Sequence, residues 1–282
     1  MSHCRDLLEK QGLTRDSIVL FQKLIYDYYR TNGRDLPWRK TNNPYRILVS
    51  EIMLQQTQVD RVVKKYHEFI DTFPDFTSLA HASLRRILKV WQGMGYNRRA
   101  LALKKIAQTV IKQFKGKLSS DIDVLARLPG IGRATASAIA AFAFNNPAIF
   151  VETNIRTVFL YFFFKNRRGV KDTDILPLVE KTMDGSNPRI WYHALMDFGT
   201  MLKKSCPNIS RQSAHYTKQG PFEGSDRQIR GMILRALNES TFLSEAKIIK
   251  IVSKKSTRVK RILAQLHAEQ LICKKGKTYT IA

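Results

Sequence analysis

The sequence predicts an all-α body over residues 1–220, followed by a small α+β module over 221–282. Three observations carry that expectation. Apolar residues recur at three- and four-residue steps in successive stretches up to residue 163. No alternating strand of any length precedes residue 220, and after Gly220-Pro221 the pattern changes to helix, helix, helix, hairpin.

The first helix is read over 13–31, where Ile18, Phe21, Leu24, Ile25 and Tyr28 share a face, and Gly33-Arg34-Asp35-Leu36-Pro37 ends it. Further helices are expected at 44–56, 59–71, 76–81, 83–90, 97–113, 121–127, 133–143 and 152–163. Phe73-Pro74, Gly93-Met94-Gly95 and Leu128-Pro129-Gly130 punctuate them. Beyond the Pro and Gly residues of 220–224, which read as a linker, helices are expected near 226–238, 244–252 and 256–268. Two short strands, 271–275 and 277–281, surround Gly276, an order that reads as a winged helix.

Of 282 residues, 44% are hydrophobic, enough for one large or two modest cores. Lys and Arg number 48 against 23 Asp and Glu, a net charge of +25 that calls for a polyanionic partner. Nucleic acid answers it, because each phosphate neutralised releases a condensed counterion; an anionic membrane surface or a ribosomal location would give the same balance. The excess is spread along the chain: residues 221–282 carry 13 basic and 5 acidic side chains, a net +8. Cys4, Cys206 and Cys273 are too few and too scattered for a disulfide framework or a four-thiolate metal site, which fits a reducing compartment. The amino terminus lacks a basic stretch followed by an apolar core, and no apolar run reaches membrane-spanning length. A cytoplasmic protein is expected, associated with the nucleoid if bacterial, and with no membrane partner.

Leu128-Pro129-Gly130-Ile131-Gly132 lies between two predicted helices, and the second begins Arg133-Ala134-Thr135. Amides at a helix start, together with the positive end of its dipole, suit a phosphate oxygen. An ordinary turn between packed helices would look the same from two glycines alone.

The flanks add to this. Leu36-Pro37-Trp38-Arg39, Pro44-Tyr45, Ser50-Glu51-Ile52-Met53-Leu54-Gln55-Gln56-Thr57-Gln58-Val59, Trp91-Gln92-Gly93-Met94-Gly95-Tyr96 and Ala194-Leu195-Met196-Asp197-Phe198-Gly199 follow one another in a fixed order around the hairpin. In order and spacing the chain resembles the MutY-type adenine glycosylases of the helix-hairpin-helix DNA glycosylase superfamily, over roughly residues 20–200. The resemblance implies an endonuclease III-like helical core and a base-excising DNA repair enzyme acting as a monomer on double-stranded DNA with a mispaired or damaged base. It also implies that Leu128, Gly130, Ile131, Gly132, Arg133, Ala134 and Thr135 hold the DNA backbone, and that Gln55, Gln56 and Thr57 fill the gap left by the extruded base. Without the resemblance, Gln55, Gln56 and Thr57 read as polar residues at a helix end. Tyr96, Arg98 and Arg99 read equally as groove-lining or as a solvated basic face.

Cutting an N-glycosidic bond needs a proton donor for the leaving base and an anion beside the developing sugar cation. Glu51 stands among Ile47, Leu48, Ile52, Met53 and Leu54, where partial desolvation would help it hold a proton; a solvated helix face is the plainer reading. By resemblance it is the general acid. Glu152 occupies the position where the family carries Asp, and Asn154 matches an Asn that orients sugar and water. Glu keeps the charge but moves the carboxylate by roughly one C–C bond length. Read from the residues alone, it could simply cap the next helix. A Lys at position 134 would confer strand cleavage; Ala134 implies a monofunctional enzyme that uses water.

At the family's four iron–sulfur cysteine positions this chain has Lys203, Ser210, Ser213 and Gln219, so no iron–sulfur cluster and no other cofactor is expected. The domain with which the family reads 8-oxoguanine opposite adenine is replaced by the 62 residues of 221–282. Its third helix, with Lys254, Lys255, Arg258, Lys260 and Arg261, is expected to touch DNA; a protein-docking role is the alternative. The expected activity is excision of adenine opposite 8-oxoguanine or guanine. A thymine or uracil mismatch glycosylase is the alternative enzyme, and a non-catalytic lesion binder the alternative of another class.

Overall fold

The computed structural model describes residues 1–165, 167–206, 209–218 and 220–282. In chain order its helices are α1 (Ser2–Gln11), α2 (Arg15–Asn32), α3 (Pro44–Leu54), α4 (Val59–Thr72), α5 (Phe76–His81), α6 (Leu84–Val90), α7 (Arg98–Phe114), α8 (Ile122–Ala126), α9 (Arg133–Phe144), α10 (Thr153–Phe163), α11 (Asp172–Thr182) and α12 (Pro188–Ser205). Then follow α13 (Asp226–Glu239), β1 (Leu243–Ser244), α14 (Glu245–Val252), α15 (Ser256–Ala268), β2 (Ile272–Lys275) and β3 (Thr278–Ile281). Single 3₁₀ turns sit at Pro37–Arg39 and Ile209–Gln212.

Local chemistry sets many of the helix starts. Thr14 and Ser17 form a reciprocal capping box on α2, Asp75 and Ser78 another on α5, and Ser83, Asp121, Ser225 and Ser244 cap α6, α8, α13 and α14. Each such cap stabilises by about 1 kcal/mol.

Periodicity does not predict α1, α11 or α12. Helix α1 buries only Cys4 and Leu8, and α11 carries Pro177 within it. Helix α12 is buried on most faces, and the polar His193 and Asp197 lie buried among Trp191, Tyr192, Leu195 and Phe198. Strand β1 is two residues long and finds its place only by pairing: Leu243 opposite Tyr279 and Ser244 opposite Thr278.

The chain forms two compact units, and the division does not follow chain order. The first comprises residues 1–47, 120–127 and 131–218. Here α12 packs against α2, α9 and α10, and Phe21 meets the rings of Phe159, Phe162, Phe163 and Trp191 edge-on. Burial of one such large side chain stabilises by roughly 1.5–3 kcal/mol.

The second unit comprises residues 48–119, 128–130 and 219–282. Its helical part packs α5 and α6 on α7, with Phe69 against Phe73 and Trp91. Its carboxyl-terminal part is α13, α14 and α15 with an antiparallel sheet of order β1-β3-β2, in which Ile272 pairs with Ile281 and Lys275 with Thr278. Helix α13 packs on α6, and Arg85 of α6 makes the junction specific. Its guanidinium donates to the carbonyls of Leu237, Asn238, Ser240 and Thr241 at the end of α13 and to Thr280 Oγ1 of β3. The last turn of a helix exposes unpaired carbonyls and the negative end of its dipole, so one arginine there satisfies several acceptors at once.

No helix among the described residues is long and apolar enough to cross a membrane.

Candidate active site

Glu152 precedes α10 in extended conformation and caps it. Its Oε1 accepts the backbone N–H of Asn154 at 2.6 Å and of Ile155 at 2.8 Å, and its Oε2 accepts Asn154 Nδ2 at 3.3 Å. Asn154 Oδ1 in turn accepts Lys203 Nζ, from α12, at 2.6 Å. The chain approach that allows this is close: a Cβ on Gly199 would lie 2.2 Å from the Asn154 carbonyl oxygen, so no other residue fits there between α10 and α12.

Burial pushes the Glu152 carboxyl above the usual carboxylate range, against the Ile155 amide, the charge of Lys203, the Asn154 amide and the charge of Arg156, which all favour its ionised form. Burial likewise lowers the Lys203 ammonium, opposed by the attraction of Glu152. The helix-cap reading of Glu152 therefore holds: Oε1 is committed to the cap, while Oε2 keeps acceptor capacity.

A second carboxylate of the same unit is treated differently. Asp197 of α12 accepts Arg34 N at 2.8 Å, Arg34 Nε at 2.6 Å, and both terminal nitrogens of Arg39 at 2.8 Å. Burial would raise its pKa, but the bidentate Arg39 and the Arg34 contacts outweigh it and hold the group below its usual range. This pair joins two of the sequence motifs, 36–39 and 194–199.

In the second unit, Glu51 is half-buried on α3, whose residues from Ile47 to Met53 are otherwise buried. From Ile47 to Met53 that helix has no broad solvated face, and Glu51 alone of those residues keeps some exposure. Helix α3 stops at Leu54, two residues before the expected end, because Gln56 adopts φ 54°, a left-handed conformation uncommon outside glycine.

Gln56 is exposed, while Gln55 and Thr57 are half-buried, and Gln55 Nε2 donates to the Gly130 carbonyl at 3.4 Å. Arg99 holds this segment. Its Nη1 donates to the carbonyls of Ile52, Met53 and Gln55 at 3.0, 2.8 and 2.6 Å. Its Nη2 reaches Thr57 Oγ1 at 3.0 Å and the carbonyls of Met94 and Gly95 at 3.1 and 3.2 Å. Neither groove-lining nor solvated, Arg99 is a buried brace, 8% exposed. Burial pushes its pKa down to about 10, with Tyr96 opposing, which leaves it charged at neutral pH. The signal was available: Arg99 lies on the stripe of Leu103, Ile106 and Val110, the buried face of α7. Arg98, its neighbour, is exposed, as is Tyr96, at φ 45°.

The hairpin divides by burial. Leu128 and Ile131 are buried and anchor it; Gly130, Gly132, Arg133 and Ala134 are exposed and Thr135 is half-buried. Gly130 has φ 76°, and a Cβ there would meet Ala102 Cβ at 3.1 Å. Gly132 is the N-cap of α9 and brings no side chain to cover the first amides of that helix. Arg133 pairs with Asp123 at 2.7 Å, both well exposed.

The positions matching the family's cluster ligands do not fit thiolate-held iron. Lys203 is bonded to Asn154, Ser210 lies in the 3₁₀ turn, and buried Ser213 makes a parallel bridge with Val170 and accepts the His215 amide on its Oγ. Gln219 lies outside the described residues. Among the described residues no group of three or more His, Cys, Asp or Glu side chains is gathered to hold a metal ion. What sequence reasoning missed is that Lys203, read only as a lost ligand, is part of the Glu152 constellation.

Residues 49–176 match the HhH-GPD superfamily of base excision DNA repair proteins. An adenine DNA glycosylase of Buchnera aphidicola is 34% identical over 192 residues, covering 66% of this chain and 53% of the relative; the chain thus spans about half of that protein's length. An adenine DNA glycosylase of Mycobacterium tuberculosis is 31% identical over 242 residues, covering 76% of this chain and 77% of the relative. Among solved structures, a thermostable thymine-DNA glycosylase aligns with TM-score 0.61 and 27% identity, over 71% of this chain and 96% of that one. Endonuclease III trapped on DNA aligns with TM-score 0.57 and 21% identity, over 74% and 91%, which shows the shared fold. The mostly helical, endonuclease III-like architecture with a small carboxyl-terminal sheet is as expected, and the chain belongs to the HhH-GPD superfamily of base excision DNA repair proteins, among the relatives of the MutY-type adenine glycosylases.

Proposed function

We propose that this chain is a monofunctional DNA glycosylase that extrudes a mispaired base from double-stranded DNA and removes it hydrolytically, the base being adenine opposite 8-oxoguanine or guanine. The observation that carries the reading is the half-buried Glu152 carboxylate, held with Asn154 and Lys203 at the start of α10. A fixed anion in a desolvated setting stabilises a sugar cation far better than it would in water.

Glu51 protonates the base, which departs with the electrons of the glycosidic bond. Water, oriented by Asn154, adds to the sugar carbon and loses its proton to solvent, and an abasic site results. Ala134 has no amine, so no covalent sugar adduct forms and the strand stays intact. The exposed glycines and first amides of α9 take a backbone phosphate, and Gln55, Gln56 and Thr57 fill the vacated stack. In this reading residues 1–220 carry out excision, 221–282 form a winged-helix module, and the protein works as a cytoplasmic monomer.

A second substrate reading, thymine or uracil opposite guanine, is favoured by the likeness to the thymine-DNA glycosylase structure. Single-turnover excision on duplexes carrying each mispair separates the two: release of adenine is expected, and release of thymine or uracil alone would transfer the assignment. Tight binding with no base released from any duplex would make the protein a lesion binder.

A further inference from the structure

Within the second unit, a groove of about 430 Å³ runs between the turn at residues 92–97 and helix α13. Four arginines line it, Arg61, Arg227, Arg230 and Arg235, with the aromatic rings of Tyr96 and Phe222, and no Asp or Glu is among its lining residues. Phe222 is 60% exposed and Tyr96 36%, unusually open for large rings that have apolar surface beside them.

Of the four cations, Arg230 alone is neutralised by a carboxylate among the described residues, that of Glu269. Arg227 donates to the carbonyls of Gly220 and Pro221 and, at 3.5 Å, to the Tyr96 hydroxyl. Arg61 and Arg235 are exposed and have no carboxylate partner among the described residues.

Helix α15, the third helix of the module, is the opposite case. Arg258 and Arg261 both close on Asp226, and Lys260 on Glu245. The module's third helix thus spends much of its charge internally, while α13 presents uncompensated charge beside exposed rings.

We propose that this groove, not α15, is where the carboxyl-terminal module meets nucleic acid, and that it takes a nucleotide of a DNA strand: phosphate on Arg61 and Arg235, base against Tyr96 and Phe222. Guanidinium forks match phosphate oxygens, and exposed aromatic faces stack on any base. The volume is in the range of ordinary small-ligand sites. The groove is held open by the Arg85 junction, which fastens α13 to α6 through four carbonyls, so the site needs no folding on binding. Its other wall is tied to the gap-filling segment: Arg99, whose guanidinium lies 5.5 Å from the centre of the Tyr96 ring, also holds Gln55 and Thr57. The inference rests on the reading that the chain acts on duplex DNA and is independent of which base it removes.

The test uses the full chain and a duplex bearing a tetrahydrofuran abasic analogue, with affinity measured by fluorescence anisotropy over a salt series. Arg61→Glu with Arg235→Glu should weaken binding about tenfold or more and lower the salt slope by about 2, one unit for each phosphate no longer neutralised. Arg258→Ala with Arg261→Ala should change affinity less than about twofold. A photoreactive benzoylphenylalanine in place of Phe222 should cross-link to DNA, and the labelled strand carrying the adduct identifies which of the two enters the groove. Equal effects from the two double variants, or wild-type affinity without any cross-link, would overturn the groove. Failure of the wild-type chain to bind either this duplex or an intact one would instead overturn the DNA-repair reading itself.

Discussion

Two carboxylates of the first unit, the buried Asp197 near the middle of α12 and the half-buried Glu152 at the start of α10, receive opposite treatment from their surroundings. Asp197 accepts four hydrogen bonds from two arginines and is held below the usual carboxylate range; Glu152 accepts three from its own helix start and is held above it. Full compensation serves architecture. Partial compensation leaves a carboxylate whose charge is costly in the free protein and which, on the proposed mechanism, gains a partner when a cation develops beside it. The same contrast separates Arg39, spent on Asp197, from Lys203, which reaches Asn154 and acts on Glu152 only by its charge.

The largest effect is expected from breaking the compensated pair. Asp197→Ala leaves Arg39, 7% exposed, buried without its carboxylate, and should lower unfolding free energy by about 3–5 kcal/mol, read by denaturant titration. A carboxyl held below its unfolded value adds stability above the ordinary carboxylate range and loses it as pH falls through the folded value. The penalty of the variant should therefore shrink on acidification. A loss below about 1 kcal/mol at neutral pH would mean that Asp197 contributes no more than a surface ion pair.

Glu152→Gln should reverse the balance between stability and activity. Single-turnover excision should fall about a hundredfold or more, since the anion beside the sugar is gone. Stability should not fall with it. A carboxyl held above its unfolded value binds more protons folded than unfolded, so its contribution is full below the ordinary carboxylate range and is lost as pH rises through the folded value. The variant should thus match the wild type in acid and equal or exceed it at neutral pH in thermal unfolding. A neutral-pH loss of stability together with retained excision would make Glu152 a helix cap and nothing more.

This contrast also marks how much the sequence disclosed. Motif order singles out Glu51, Glu152 and Asn154, and the helical core was legible wherever one face is apolar. Helix α12 was not, because its buried face includes His193 and Asp197, which read along the chain as solvated polar residues. Lys203 was illegible for a related reason: a cation half-buried by its tertiary neighbours reads, along the chain, like any solvated one, whereas Arg99 stood on the apolar stripe of α7. Lys203 belongs to Glu152 only because Gly199 lets α12 approach the Asn154 carbonyl, a closeness no local spacing reveals.

The last and smallest effect sharpens the comparison most. Lys203→Met keeps the length of the side chain and removes the charge and the hydrogen bond to Asn154 Oδ1. If Lys203 acts as a positioning residue that favours the ionised form of Glu152, its loss pushes that carboxyl further up. The acid limb of the excision rate should then move to higher pH, so the variant loses about tenfold where the limb falls and less on the plateau. A purely structural role would lower the rate by the same factor at every pH, or shift thermal stability with the profile unmoved. Glu152→Gln should remove the wild-type acid limb altogether, so combining it with Lys203→Met should leave no pH shift to observe; a shift that persists in the double variant would place the titrating group elsewhere.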